Sequence, residues 1–169
     1  MKKKIEVKRK QESKNKKFEL TTEKKVNFLG KTLFRIKAKI AFGIVETGEL
    51  GGWIEKEDNL SIYGNAWVSG DAEVSGDAEV CGDAEVCGDA RVYGNARVYG
   101  NARVYGDAWV YGDAEVYGDA EVYGDARVYG DAWVSGRFNL TVSCNVEIPR
   151  INIDTKDKLE KLVKFLKEF

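Results

Sequence analysis

Apolar and polar residues follow a period of two inside a longer period of six over most of the chain. Between Gly64 and Gly136, thirteen glycines recur at intervals of six residues, in units such as YGNARV and YGDAEV. Ala and Val in each unit are separated by one residue, so both side chains point to one side of an extended strand. Glycine tolerates any φ, and Asp or Asn enters the left-handed region most readily among other residues. Each unit is therefore predicted to form one short strand and one corner.

The outward residue between Ala and Val predicts the size of the coil. A coil of two units would place Glu73 beside Glu85, and directly opposed like charges are unfavourable. A coil of four units would place Arg103 beside Arg127. A coil of three units avoids like neighbours, because it forms the columns Glu85, Arg103, Glu121; Glu79, Arg97, Glu115; and Glu73, Arg91, Trp109, Arg127. We therefore predict an all-β, three-sided parallel solenoid over residues 58–147, with about five coils and roughly 24 Å of stack. Ile62 and Val146 are predicted to occupy the inward Val position of its first and last units.

These repeats resemble the hexapeptide-repeat family of left-handed parallel β-helices over just over half of the chain. The resemblance implies a left-handed coil, whereas crossovers between parallel strands are in general right-handed. The preceding segments TLFRIKA, FGIV and GELGGWIEKEDNLS, followed by GNAWV, are similar to a group of uncharacterised hexapeptide proteins of phages and prophages. This second resemblance implies a phage or prophage origin.

Both ends of a solenoid expose strand edges and an apolar lumen that need a cover. Residues 18–57 are predicted to form a small β-rich cap after a turn at Gly30. In this cap four apolar residues, Phe34, Ile36, Ala38 and Ile40, alternate with Arg35, Lys37 and Lys39. Residues 148–169 are predicted to form a linker and an amphipathic C-terminal helix, either a lid over the last coil or an oligomerisation helix that makes a dimer or trimer. Its apolar stripe consists of Leu159, Leu162, Val163, Leu166 and Phe169.

The net charge of −1 combines two opposite regions. Residues 1–17, a basic N-terminal arm, carry a net charge of +7, and residues 58–147 carry −11. The arm is either a solvated tail or a contact to nucleic acid or an acidic partner, and direct nucleic-acid binding is left open. The lysine-rich start is not followed by a secretory apolar region, and no apolar run is long enough to cross a bilayer. We expect a cytoplasmic protein without a membrane partner.

Catalytic chemistry is not expected. Hexapeptide acyltransferases use a histidine as general base, and solenoid carbonic anhydrases bind zinc through histidines, yet this chain has no histidine. The glycine spacing is unbroken for 72 residues, which leaves no inserted loop to build a pocket. We expect no enzyme, no cofactor and no metal. One corner column could bind calcium through carboxylate oxygens, or each of its carboxylates bonds its own turn. That column is Asp71, Asp89, Asp107 and Asp125.

One face concentrates Trp, Tyr and Arg, the residue types enriched at binding hot spots. The predicted binding surface consists of Arg91, Tyr93, Trp109, Tyr111, Arg127 and Tyr129. Alternatively, these stacked rings and cations only stabilise the solenoid. We expect a non-enzymatic solenoid that binds another protein, for instance a phage-encoded stoichiometric inhibitor of a host defence effector such as a CRISPR nuclease. The alternatives are a structural or virion-associated spacer and, more remotely, a degenerate hexapeptide acyltransferase.

Overall fold

A computed structural model describes residues 15–136 and 139–141, the last three as backbone only. Three longer strands come first: β1 (Phe18–Val26), β2 (Thr32–Ala38) and β3 (Leu50–Ile54), followed by a 3₁₀ turn at Glu57–Asn59. The coil strands are β4 (Trp67–Val68), β5 (Glu73–Val74), β6 (Glu79–Val80), β7 (Glu85–Val86), β8 (Arg91–Val92), β9 (Arg97–Val98), β10 (Arg103–Val104), β11 (Trp109–Val110), β12 (Glu115–Tyr117), β13 (Glu121–Tyr123), β14 (Arg127–Val128), β15 (Trp133–Ser135) and β16 (Asn139–Thr141).

The coil strands form three parallel sheets, one for each side of the solenoid. The first face contains β5, β8, β11 and β14, the second β6, β9, β12 and β15, and the third β4, β7, β10, β13 and β16. Arg103 pairs with Glu85 above it and with Glu121 below it, so partners are 18 residues apart. The same spacing aligns the columns of the other two faces. The predicted three-sided coil of about five turns is confirmed.

The lumen of the solenoid is filled by the Ala and Val of each unit. Every Val from Val68 to Val134 in this register is buried, and so is every Ala from Ala66 to Ala132. Burial of one valine side chain stabilises the fold by about 2 kcal/mol. Because these side chains repeat with the coil, the lumen forms one continuous apolar core from the cap to the last described coil.

Glycine provides the left-handed backbone conformation at each corner. Gly94 has a φ of 75°, and a Cβ built on it would lie 3.0 Å from the backbone nitrogen of Gly112 in the next coil. Among the described residues, positive φ is confined to glycines. The Asp or Asn that follows glycine in each corner therefore does not use the left-handed region, although these residues enter it readily. A positive φ at the first central residue, followed by a negative one, is typical of a type II′ turn.

The first coil departs from the predicted six-residue spacing. Leu60 bridges to Val80 and is 1% exposed, whereas Ile62 is only partly buried. The prediction that Ile62 occupies the inward position is therefore wrong. The reason is a longer connection: Leu60 and Val68 are eight residues apart, whereas inward Val residues of the regular coils are six apart. Within this connection the Ser61 carbonyl accepts a hydrogen bond of 3.0 Å from Lys17 Nζ. The parallel ladder itself begins earlier, because β3 pairs with β5.

The N-terminal cap is an antiparallel extension of the first face. β1 pairs with β2 through a turn at Gly30, which has a φ of 74°, and β2 pairs with β3. Ile36 and Ala38 are buried, so the predicted cap and its turn are confirmed. The predicted alternation is wrong at its ends, because Phe34 is only partly buried and Ile40 is 49% exposed. The predicted C-terminal helix, residues 1–14 of the basic arm and residues 142–147 of the repeat lie outside the described residues. The left hand of the coil stays a prediction.

Candidate interaction surface

Trp109 lies between two guanidinium groups at the centre of the first face. It pairs with Arg91 in the coil above and with Arg127 in the coil below. The Cζ atoms of both arginines lie 5.0 Å from the centroid of the indole ring. A cation over an aromatic face is attracted by the ring quadrupole, so this column is held by two cation–π contacts. The 18-residue register brings together three of the predicted residues here.

The predicted tyrosines form a ladder at the corner that follows the first face. The rings of Tyr93 and Tyr111 stack at 4.9 Å and 4°, and those of Tyr111 and Tyr129 at 5.1 Å and 6°. Burial, with a smaller effect of neighbouring Tyr111, raises the pKa of Tyr93 to about 12. The phenol therefore keeps its proton well above the pH at which an exposed tyrosine ionises, and it can donate a hydrogen bond. The six predicted residues lie on one continuous surface, here called the aromatic face.

Phe28 extends the aromatic face and was not predicted from the sequence. This residue belongs to the turn between β1 and β2, and its ring lies 5.5 Å from Tyr93 and 5.2 Å from Trp109. The guanidinium carbon of Arg91 lies 5.4 Å from the centroid of the same ring. The cap hairpin therefore folds back over the outer surface of the solenoid as well as extending its sheet.

Polar contacts hold the hairpin against the first face. Lys25 Nζ lies 2.9 Å from Glu73 Oε1 and 4.8 Å from the centroid of the Trp53 ring. The amide of Asn27 donates a hydrogen bond of 3.4 Å to the hydroxyl of Ser75. These contacts position the turn so that Phe28 reaches two coils down the solenoid.

One local signal in the sequence could have drawn attention to the turn. Phe28 and Leu29 directly precede Gly30, whereas the residues common in tight turns are Gly, Pro, Asn, Asp and Ser. Two large apolar residues at a predicted turn indicate that the turn packs on something. The sequence pattern did not show which surface that is.

The other two faces carry ion pairs instead of a tryptophan between arginines. On the third face, Arg103 Nε and Nη2 donate to Glu85 Oε2 at 3.1 and 2.9 Å. On the second face, Arg97 lies 3.9 Å from Glu79 and 4.0 Å from Glu115. Charges on these faces are thus matched within the molecule.

The corner columns also differ in whether their polar side chains are paired within the molecule. Asn101 donates to Asp119 at 2.9 Å, and equivalent bonds of 2.8 Å link Asn65 to Asp83 and Asn95 to Asp113. The column for which calcium binding was one alternative contains only exposed carboxylates, namely Asp71, Asp89, Asp107 and Asp125. Within residues 15–136, no group of three or more His, Cys, Asp or Glu side chains is placed to hold a metal ion.

Lys17 closes the N-terminal end of the solenoid, although the sequence places it in the basic arm. Its side chain is buried, and Nζ donates to the carbonyls of Ser61 and Ala66 at 3.0 and 2.8 Å. The ammonium group also lies 4.6 Å from the centroid of the Phe42 ring. Burial lowers the pKa of Lys17 to about 8, against the opposing effect of the Asp83 charge. Lys17 is therefore buried at the N-terminal end of the lumen, where backbone carbonyls replace the water around a solvated lysine.

Stacked parallel coils with a repeated apolar lumen place the chain among the repeat β-solenoid proteins. Three segments match the family model of the YdcK β-solenoid repeat, at residues 84–98, 96–112 and 120–136. All three lie within the regular coils of the structure. A search of the curated proteins finds no similar sequence. In the described part of the chain, no helix has the length and apolar character needed to cross a bilayer.

Proposed function

We propose that this β-solenoid is a non-enzymatic scaffold that binds another protein through its aromatic face. The observation that carries the proposal is the Arg91–Trp109–Arg127 column beside the tyrosine ladder. Trp, Tyr and Arg carry much of the binding energy at protein interfaces. Side chains fixed by stacking lose little conformational freedom when a partner binds, which favours affinity.

A phage-encoded inhibitor of a host defence effector, such as a CRISPR nuclease, is the specific form of this proposal. Its support is the distribution of charge. The exposed column formed by Asp71, Asp89, Asp107 and Asp125 runs along one edge of the solenoid. A row of carboxylates is attracted to the basic channel in which a nuclease holds nucleic acid. The acidic body would occupy that channel in the host cytoplasm while the aromatic face supplies the specific contact.

A nuclease assay tests this form directly. Increasing amounts of the protein are added to a fixed amount of a purified CRISPR nuclease with its guide and a target plasmid. We expect cleavage to stop near one equivalent, and we expect Trp109→Ala to need at least tenfold more protein. Trp133→Ala is the matched control, because Trp133 is also an outward tryptophan, 51% exposed on the second face. Unchanged cleavage at tenfold excess over nucleases from several hosts would reject the inhibitor.

A rigid spacer in a larger assembly is the second candidate. One observation favours it: the backbone bonds between coils continue without an inserted loop, as in the donation of Asn95 N to Gly112 O at 2.8 Å and of Asn101 N to Gly118 O at 2.8 Å. Light scattering separates the two candidates. A filament or large assembly favours the spacer, and a small discrete species favours the inhibitor.

A further inference from the structure

A cavity lies at the N-terminal end of the solenoid, where the cap meets the first coil. Its volume is about 310 Å³, and its walls contain the side chains of Lys16, Lys17, Ile40, Phe42, Ile62 and Tyr63. An apolar cavity of about 150 Å³ holds one benzene molecule, so this space has room for an aromatic ring with a short chain. The charged side chains in its walls are both lysines, and the other walls are mainly apolar.

Lys17 forms the polar end of this cavity. Its Nζ donates hydrogen bonds of 3.0 and 2.8 Å to the carbonyls of Ser61 and Ala66, and it lies 4.6 Å from the centroid of the Phe42 ring. Phe42 belongs to the cavity walls, and so does Ile62, the residue after Ser61, which places the ammonium group beside the cavity. A lysine ammonium has three N–H donors, and within residues 15–136 only these two carbonyls accept from it. One donor is therefore left for a ligand.

The buried ammonium group of Lys17 forms no ion pair with a carboxylate of the described residues. The charge of Asp83 opposes the effect of burial, yet burial still lowers the pKa of Lys17 to about 8. Asp83 Oδ1 accepts hydrogen bonds from N and Nδ2 of Asn65 at 3.1 and 2.8 Å, and Glu57 accepts one from Asn15 at 3.5 Å. Neither carboxylate belongs to the cavity walls. An anion inside the cavity would therefore supply the opposite charge that a buried ammonium group needs, without a competing carboxylate in the walls.

We propose that this cavity binds a small organic acid, in which one carboxylate is attached to an aromatic ring or a short hydrocarbon chain. The carboxylate would accept a hydrogen bond from Lys17 Nζ, and the apolar part would pack on Phe42 and Ile62. Lys16 in the same walls and Lys39, whose Nζ donates to the carbonyl before Lys16 at 2.6 Å, add positive charge. Apolar walls with a few placed polar groups are typical of small-molecule sites. The site shares no residue with the aromatic face, so it goes beyond the proposed function.

Isothermal titration calorimetry of the full-length protein with 4-phenylbutyrate tests the proposal. At pH 7 we expect one molecule to bind per chain, with a dissociation constant below about 1 mM. Two matched compounds separate the contribution of charge from that of the apolar part. The alcohol 4-phenylbutan-1-ol keeps the apolar part without the charge, and 4-phenylbutylamine reverses the charge. Both are expected to bind at least tenfold more weakly than the acid.

Three variants test the assigned residues. Lys17→Met keeps an unbranched side chain without the charge, and we expect it to lower the affinity for the acid at least tenfold while the affinity for the alcohol is unchanged. Ile40→Ser changes a wall residue that is 49% exposed, and it should weaken binding of both compounds severalfold. Lys24→Met is the matched control, because Lys24 is exposed on β1 and does not belong to the cavity walls. Circular dichroism at the titration temperature shows whether each variant is folded.

Proton uptake by the wild type gives a second test that does not depend on any variant. In the free protein most Lys17 side chains are neutral at pH 8.5, because the pKa of Lys17 is about 8. A bound carboxylate favours the ammonium form, so binding of the acid at pH 8.5 is expected to take up protons, whereas binding of the alcohol is not. The difference in binding enthalpy between two buffers of different ionisation enthalpy measures this uptake, which should be near zero at pH 6.

Several results would overturn the proposal. They are equal affinities for the acid and the alcohol, unchanged binding of the acid by a folded Lys17→Met variant, and no proton uptake at pH 8.5. No detectable binding of the acid also rejects the site. If Ile5→Ser/Val7→Ser raises the affinity at least tenfold, apolar residues at the start of this chain occupy the cavity instead of a ligand. None of these results involves the aromatic face, so the scaffold proposal stands or fails separately.

Discussion

The first and third faces of the solenoid have the same backbone and register but opposite surface chemistry. On the third face, Arg103 is bonded to Glu85 with a distance of 2.9 Å. On the first face, the equivalent coil carries Trp109, which packs between two arginines. Both faces bury the same Ala and Val lumen. The comparison teaches that inward and corner positions maintain the fold, which leaves the outward position free to differ between faces.

The largest expected effect tests whether the three corners contribute equally to the free energy of unfolding. Three substitutions each change one corner: Gly82→Ala, Gly88→Ala and Gly94→Ala. In all three, the added Cβ would lie 3.0 Å from the backbone nitrogen of the equivalent glycine in the next coil, 18 residues later. We expect each to lower the free energy of unfolding by about 2 to 3 kcal/mol, because positive φ and the close contact both oppose a side chain. Urea unfolding measures the loss.

A matched control separates the two causes. Gly118 has a φ of 69°, but a Cβ there would meet Gly136 N at 3.4 Å, an ordinary contact. Gly118→Ala is therefore expected to cost about 1 to 2 kcal/mol from φ alone. Clearly unequal losses at the three corners would break the comparison, since the backbone would then distinguish the faces.

The next effect concerns the N-terminal end of the solenoid, where the first coil differs from the regular coils. The pKa of Lys17 is about 8 in the folded protein and near its usual 10.5 in the unfolded chain. Between these values the unfolded state binds more protons, so this group adds stability as pH rises. From pH 7 to pH 9.5 we expect a gain of about 2 kcal/mol relative to Lys17→Met, by urea unfolding. If the free energies of unfolding of the wild type and of Lys17→Met changed with pH in the same way, the lowered pKa of a buried Lys17 would be contradicted.

A smaller effect is expected on the aromatic face. Trp109→Ala removes two cation–π contacts and the contact with Phe28, which together contribute about 1 to 2 kcal/mol. Because Trp109 is uncharged and its contacts are partly buried, the loss should be similar at 0.15 M and 1 M NaCl. Thermal denaturation at both salt concentrations measures it. A loss that disappears in high salt would mean that the face is held by screened charges.

The smallest effect is expected on the third face. Arg103→Gln breaks the pair with Glu85, whose side chains are 52% and 35% exposed. Exposed pairs contribute about 0.2 to 1 kcal/mol, and 1 M salt reduces the screening length to about 3 Å. We therefore expect a small loss at low salt that vanishes at high salt, measured in the same thermal series. A salt-independent loss would remove the contrast between the faces.

The regular coils could be predicted because their determinants are local and repeated. Six residues decide one strand and one corner, and the charge columns decide how many units form a coil. That logic placed Arg91 beside Trp109 and Tyr93 beside Tyr111, as observed. It went wrong at Ile62, where the chain leaves the repeat and the periodicity no longer constrains it.

Phe28 and Lys17 could not be assigned in the same way. The contact of Phe28 with Tyr93 joins residues far apart in sequence and depends on how the hairpin folds back. The burial of Lys17 depends on contacts with the carbonyls of Ser61 and Ala66, which are 44 and 49 residues away in the sequence and belong to the irregular first coil. Neither residue belongs to the repeated units, and a basic residue in a lysine-rich segment is usually solvated.

The sequence by itself therefore determined the coil, its three faces and the set of residues on each face, because a strict period fixes which side chains align. Only the tertiary structure decided that Phe28 of the cap hairpin joins the aromatic face and that Lys17 is buried at the N-terminal end of the lumen. The physical reason is that both contacts join parts of the chain that are far apart in sequence. The cap covers apolar surface and backbone carbonyls that the first coil leaves exposed, and no local pattern shows which cap residue will do so.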